Sequence, residues 1–338
     1  MIIPNDTPAL RRYRQLAWIT IAAVYFLILV GASVRASGAG MGCPDWPTCF
    51  GQWIPPTSEA QLPANYQEIY SELGYADTRF NVVKTWTEYA NRLVGVTIGF
   101  LVFLTMIFSW SCRRHDPWIM RASIAAFLMT GFQGWLGSRV VASNLQPGMI
   151  TLHMLMALAI VAALLFALAQ SRRNIMATQS VAHIDPRFEK WLYVVIGLAL
   201  VQISMGTQVR EMTDLISRAQ GEELRSSWIE FMPWFFYVHR SFSAVVLFSN
   251  LWLLYLLVRS IGWTHSLTRF TVAMIAVTGL AVMSGATLGH LGMPRLVQPT
   301  HLLSASLLFG FQFLIWMGYR QARNAEPIPP DAVSPLPA

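Results

Sequence analysis

Two short stretches decide how this chain is built: "EYANRLVG", Glu88–Gly95, and "FYVHRSFS", Phe236–Ser243. They lie 148 residues apart, with Asn91 over His239 and Arg92 over Arg240. The same offset carries His153 onto His301, Gly131 onto Gly279 and Gly137 onto Gly285 without a gap. Upstream, "GASVR" (Gly31–Arg35) matches "GTQVR" (Gly206–Arg210) at an offset of 175, so the first half has 27 extra residues in its first external loop. Apolar segments align by chance. Histidine, arginine and glycine falling in step point instead to an internal repeat.

The repeat is set in a membrane protein. Of 338 residues, 54% are hydrophobic and 12% charged, about half the charged share of a soluble domain. Eight apolar stretches approach the roughly 20 residues that a spanning helix needs. They lie near 15–35, 91–111, 118–138, 149–170, 190–209, 235–258, 267–289 and 298–319. The expected fold is an all-α integral membrane protein of eight transmembrane helices, arranged as two pseudo-symmetric four-helix bundles. The halves run over 15–172 and 190–322. A short N-terminal segment (1–14), a linker (173–189) and a Pro-rich disordered tail (323–338) flank and join them. Four spans per half is an even number, so both halves enter from one side and the repeat axis follows the membrane normal.

The net charge of +7 reads as topology, with no nucleic-acid partner. "RRYR", "CRRHDPWIMR", "SRRN…DPRFEK", "RSIGWTHSLTR" and "YRQAR" occupy alternate gaps and both ends. The positive-inside rule puts them, and both termini, in the cytoplasm. His115, His183 and His265 fall there too and read as solvated loop residues. No cleavage-site pattern precedes the first apolar run, so no removed signal peptide is expected. The opposite side holds Ala36 to about Glu88 and Arg210 to about Pro233. Trp46, Trp53, Trp86, Trp228 and Trp234 there suit an interfacial belt.

His153, His239 and His301 each lie in the first turns of a helix starting on that side. One buried histidine is most often structural. Three at one depth, two of them repeat mates, fit the axial grip of facing imidazoles on a haem iron inside a helical bundle. Zinc would want four closely grouped ligands, and copper would want sulfur neighbours that are scarce here. Arg35, Arg92, Arg210 and Arg240 stand against the positive-inside trend as two repeat-related pairs. Forked guanidinium contacts suit haem propionates, whereas snorkelling to headgroups would explain one arginine better than four. Arg139 and Arg295 extend the same positive rim. The glycines of "GFQGWLG" and "GLAVMSGATLG" serve close helix packing or the approach of a flat ring.

Glu88 breaks the symmetry, because its repeat mate is Phe236. Binding haem needs no carboxylate, but moving protons or building positive charge on a substrate carbon does. The other reading is an interfacial glutamate paired with Arg92 or Lys84. Cys43 and Cys49, in "GMGCPDWPTCFGQW", face an oxidising compartment and read as a structural disulfide, with a redox role as the alternative. Cys112, at a cytoplasmic helix end, reads as inert.

"GASVRASGAGMGCPDWPTCFGQW", "EYANRLVG", "TLHMLMAL", "YVHRSFSAVVL" and "PTHLLSASLL", in that order from about Leu16 to Gly318, resemble the haem A synthase family. The resemblance implies a multi-pass protein of the bacterial cytoplasmic membrane. It implies a haem b cofactor on His239 and His301, where Arg210 and Arg240, singled out by the repeat, would bind the propionates. It implies that haem O, the substrate, binds in the first half at the positions of His153 and Asn91, where Arg35 and Arg92, singled out by the repeat, would bind its propionates. There its C8 methyl is oxidised to the formyl group of haem A for terminal oxidases, with Glu88 as the essential glutamate and Cys43–Cys49 as the loop pair. Haem O synthase, oxidase assembly proteins, membrane lipid and further copies of the chain are the implied partners. A membrane b-type cytochrome and a haem transporter are the alternatives. The chain departs from the family at Asn91, where histidine is usual, and it lacks the second external cysteine pair. Asparagine is a poor iron ligand. Either the first-half haem is five-coordinate on His153, with Asn91 bonding to water or an oxygen species, or that half only binds haem. The survival of Glu88, Arg92 and His153 around Asn91 favours the first.

Overall fold

The computed structural model describes residues 7–76, 78–173, 181, 183–221 and 223–324. The Pro-rich tail and part of the linker lie outside the described residues. Eight long helices account for most of what is described: α1 (Pro8–Ala36), α2 (Val82–Ser109), α3 (Pro117–Ala142), α4 (Pro147–Ser171), α5 (Arg187–Gln220), α6 (Trp234–Ile261), α7 (Ser266–His290) and α8 (Val297–Arg323). Seven of them are long and apolar enough to cross a membrane. The exception is α3, where Arg121, Gln133, Arg139 and three glycines dilute the apolar run. The protein is therefore an all-helical, multi-pass membrane protein.

Local signals explain where these helices begin. Thr7 caps α1 by accepting from Leu10 N at 3.3 Å, and Pro8 follows it. Asn81 caps α2 by accepting from Lys84 N at 3.0 Å. Asp116 caps α3 by accepting from Trp118 N at 2.8 Å, with Pro117 next. In each case a short polar side chain satisfies an amide that the first turn leaves open. Two helices overrun the expected spans on the external side. α2 starts at Val82 rather than near 91, and α5 runs to Gln220 rather than 209. Glu88 therefore lies inside α2, in its second turn, and not ahead of the helix.

The packing order repeats. α1 packs on α2 and α4, α2 on α3, and α3 on α4. In the same way α5 packs on α6 and α8, α6 on α7, and α7 on α8. Contacts of α1 with α8, α4 with α8 and α4 with α5 join the two sets. One apolar core gathers Tyr13, Ile98, Val102, Ile119, Val161 and Leu164, and another gathers Phe188, Leu192, Leu253, Leu257, Met274 and Ile315. Buried polar pairs pin each core. Thr20 and Thr105 hydroxyls lie 2.7 Å apart, and Gln312 donates to Asn250 Oδ1 at 3.1 Å. Such bonds hold helices together where solvent cannot compete for them. On α2 the opposite face, Leu93, Val96, Phe100 and Ile107, is exposed, as a lipid-facing stripe requires.

Residues 43–80, between α1 and α2, include a small aromatic unit beyond the helix ends. Phe50 is ringed edge-on by Tyr66, Tyr70, Tyr75 and Phe80, with centroids 5.3–6.3 Å away. Trp46, Trp53, Trp86 and Trp234 are exposed, as an interfacial belt needs. Trp228 is not. It is 1% exposed, packed with Ile216, Met232 and Phe236, and its indole donates to Gly221 O at 3.2 Å. The tail of α5 that the expected spans omit is what covers it.

Candidate haem-binding sites

Four polar side chains sit on even-numbered helices, and each rests against a glycine of an odd-numbered one. A Cβ on Gly206 would come 3.2 Å from His239 Cε1, one on Gly285 3.0 Å from His301 Cε1, and one on Gly137 3.4 Å from His153 Cε1. One on Gly31 would meet Asn91 Oδ1 at 3.9 Å. Gly31 with Gly206, and Gly137 with Gly285, are the repeat pairs. Gly131 and Gly279, the third aligned pair, face nothing within 4 Å. The glycines thus separate into those that make room for a ring and those that do not.

The ring centroids of His239 and His301 stand 6.3 Å apart, with the ring planes nearly perpendicular at 80°. A metal–imidazole bond is about 2.0 Å and a nitrogen lies about 1.15 Å from its ring centre, so two imidazoles on opposite sides of one ion stand about 6.3 Å apart. The pair fits axial ligation of a haem iron. His301 is also oriented for it. Its Nδ1 lies 2.9 Å from Ala281 O and 3.1 Å from Ser284 Oγ. Donation of Nδ1–H to the carbonyl leaves the Nε2 lone pair for a metal. Gln202 donates to the His239 carbonyl at 3.0 Å, and Gln133 makes the same 3.0 Å bond to the His153 carbonyl. Among the described residues, no group of three or more His, Cys, Asp or Glu is arranged to hold a metal.

The first half offers His153 and Asn91 in the equivalent positions. His153 Nδ1 and Asn91 Oδ1 are buried and without a hydrogen-bond partner, as is His239 Nδ1. A buried polar atom without a partner is costly. Three of them at these positions are what sites shaped for a further group leave behind.

Glu88 is 4% exposed and completely engaged. Oε1 accepts from Arg92 Nη2 at 2.6 Å, and Oε2 accepts from Cys43 N at 2.9 Å. Arg92 also donates to the carbonyls of Asp45 (2.7 Å), Thr48 (2.8 Å) and Cys43 (3.2 Å). Cys43 and Cys49 are bonded to each other, and the loop between them closes over this pair. Asp45 accepts from Thr48 Oγ1, from Phe50 N at 2.6 Å and from Gly51 N at 2.9 Å, which fixes the loop's shape. Thr85 donates to Gly42 O at 2.8 Å, so close that a Cβ on Gly42 would overlap the Lys84 backbone. Tyr75 bonds Met41 O at 2.7 Å. Burial, and then the Glu88 carboxylate, push the Tyr75 hydroxyl above the ordinary tyrosine range. Phe236, the repeat mate of Glu88, is buried in the apolar cluster with Trp228 and Met293. Of the two partners expected for Glu88, Arg92 is the one it meets, and Arg92 grips the disulfide loop.

Arg35 and Arg210 come together. Arg35 donates to Asp214 Oδ2 from Nε (3.1 Å) and Nη2 (2.6 Å), while Arg210 pairs with Oδ1 at 2.6 Å. Arg210 also reaches Arg35 O at 2.9 Å and Gln298 Oε1 at 2.8 Å. Arg240 is exposed, over the Tyr237 ring at 5.5 Å. Arg139 and Arg295 are exposed. Sequence reasoning missed Asp214, Ser284, Gln133 and Gln202. The two glutamines interrupt apolar runs and were visible as such. Asp214 lay beyond the expected end of its helix.

The fold defines the class: a multi-pass helical membrane protein, here with a histidine pair between glycine-notched helices. The comparisons carry this to a family. Residues 14–313 match the cytochrome oxidase assembly protein family, and the chain belongs to it. It is 30% identical over 197 residues to a haem A synthase of Shewanella oneidensis, covering 57% of this chain and 56% of the relative. It is 30% identical over 207 residues to one of Methylobacterium radiotolerans, covering 57% and 54%. The matched part thus spans about half the length of those two relatives. A haem A synthase of Mesorhizobium japonicum aligns over 340 residues at 26% identity, covering 94% of this chain and 92% of the relative.

Proposed function

We propose that this protein is a haem A synthase, oxidising the C8 methyl of haem O to a formyl group. It carries a haem b cofactor on His239 and His301 and takes haem O as substrate at His153 in the other half. The observation that carries the reading is the unequal repeat: four glycine-backed positions hold imidazole at three and the Asn91 carboxamide at the fourth, beside a buried carboxylate. A fully ligated haem suits a resident cofactor, and a site with one imidazole suits a haem that must react.

When bound, haem b supplies one-electron transfer. The chain's residues do the rest. His301, held by Ala281 O, would present Nε2 to the haem iron, with His239 as the second residue to hold it. His153 anchors the substrate from one side, while Asn91 directs a donor and an acceptor at the other. Converting methyl to formyl consumes one water and gives up four electrons and four protons to an external oxidant such as dioxygen, which takes them to form two waters, and it builds positive charge on the methyl carbon. Glu88 supplies the negative charge for that carbon. Arg92 and the Cys43–Cys49 loop hold the carboxylate in place. Arg35 in the first half, and Arg210 and Arg240 in the second, would serve the propionates; Arg92, expected among them, is instead taken up by Glu88 and the loop carbonyls.

We infer eight spans in two four-helix halves, 15–172 and 190–322. The repeated packing order and the length of α3 support this. The basic loops support cytoplasmic termini in a bacterial inner membrane. A haem O-producing enzyme and oxidase assembly factors are the partners that such a reaction needs.

Expression with a haem O source tests the reading. Haem A is expected from the natural chain and is lost in Glu88→Ala, which still binds haem at His239 and His301. Undiminished haem A from that variant overturns the role of Glu88.

A further inference from the structure

Arg35 and Arg210 are repeat mates, one in each half, yet they share one carboxylate. Asp214 has no counterpart in the first half, where the same offset falls on Ala39 beyond the end of α1. It sits one turn after Arg210, on the stretch of α5 that outlasts the apolar span, and it reaches across to α1. Each carboxylate oxygen takes one guanidinium at 2.6 Å. Arg210 also bonds the Arg35 carbonyl at 2.9 Å, so the side chain of one half holds the helix end of the other. All three groups are about four-fifths buried, with side-chain exposures of 19–20%. At that depth charge interactions are less screened than at an open surface.

We propose that Asp214 is a positioning residue that couples the two haem sites. This rests on the reading that Arg35 and Arg210 bind propionates of different haems. One carboxylate between two cations cannot hold both equally once one of them is also claimed by a substrate propionate. Haem O docking on Arg35 draws that guanidinium from Asp214 and leaves more of the Asp214 charge to Arg210. The second-half haem then feels a more negative surrounding, which favours its ferric form. Substrate arrival thereby makes the cofactor a stronger reductant, and reduction of the cofactor in turn weakens substrate binding, because coupling between sites is reciprocal.

The test uses the full-length protein with haem b in the second half. Its midpoint potential is measured spectroelectrochemically before and after adding zinc-substituted haem O, whose metal is redox-silent. A downward shift is expected in the natural chain. A much smaller shift is expected in Asp214→Asn, and recovery in Asp214→Glu. In parallel, the affinity of the zinc compound should differ between oxidised and reduced cofactor by at least about fivefold, falling toward onefold in Asp214→Asn. No shift in the natural chain, or a full shift in Asp214→Asn, overturns the coupling. If Arg35→Ala and Arg210→Ala both leave haem loading unchanged, it is the propionate reading beneath it that fails.

Discussion

Glu88 and Arg92 hold each other and the disulfide loop, and the energetics of the pair follow from burial. Removing one partner of a buried ion pair leaves the other charge uncompensated and costs about 3–5 kcal/mol. Arg92→Ala should therefore destabilise the protein more than Arg92→Ala combined with Glu88→Gln, in thermal unfolding in detergent. Additive losses would mean the two residues are not coupled. Asn91 makes a sharper case. A haem with one axial imidazole is five-coordinate and high-spin. Asn91→His restores the repeat and should turn the first-half haem low-spin in electron paramagnetic resonance. Two low-spin haems in the natural chain would contradict the assignment of Asn91. At this scale His153, His239, His301, Asn91 and Glu88 stood out by type and spacing, and the structure sets the first four against glycines and buries the fifth. That Arg92 turns to the loop carbonyls was not legible, because nothing local to "EYANRLVG" records that Asp45 and Thr48 fold back over it.

Among the helices, the pairing of glycine with ring governs the sites. Gly285→Ala would bring a methyl to 3.0 Å from His301 Cε1, so the ring must shift from the position Ala281 O gives it. Haem b occupancy should fall. Gly279→Ala meets nothing within 4 Å. It should keep full occupancy and gain up to about 1 kcal/mol of helix propensity. Equal haem contents in the two variants would remove the ring-accommodating role. Helix existence was readable from apolar length, but helix ends were not. The overruns of α2 and α5 are polar, with "NVVKTWTE" opening one and "EMTDLISRAQ" closing the other. Their stability comes from a cap at Asn81 and from packing against the external loops. A hydropathy window is blind to both. Asp214 and the burial of Trp228 were lost with the end of α5.

In the whole molecule, the repeat is the clearest feature of the sequence, since an offset of 148 survives in histidine, arginine and glycine together. The packing order agrees with it, ring by ring of helices. The joint between the halves was not legible, because it depends on Asp214 and on the crossing of α1, α4, α5 and α8. The proposed division of labour between the halves rests on small changes: His239 against Asn91, Phe236 against Glu88, and 27 residues of loop. That division is the central claim, and the haem content of the purified protein tests it most directly. Extracted from cells supplied with haem O and separated by chromatography, the natural chain should yield haem b together with haem O or haem A. Haem b alone, under every loading condition, would contradict it.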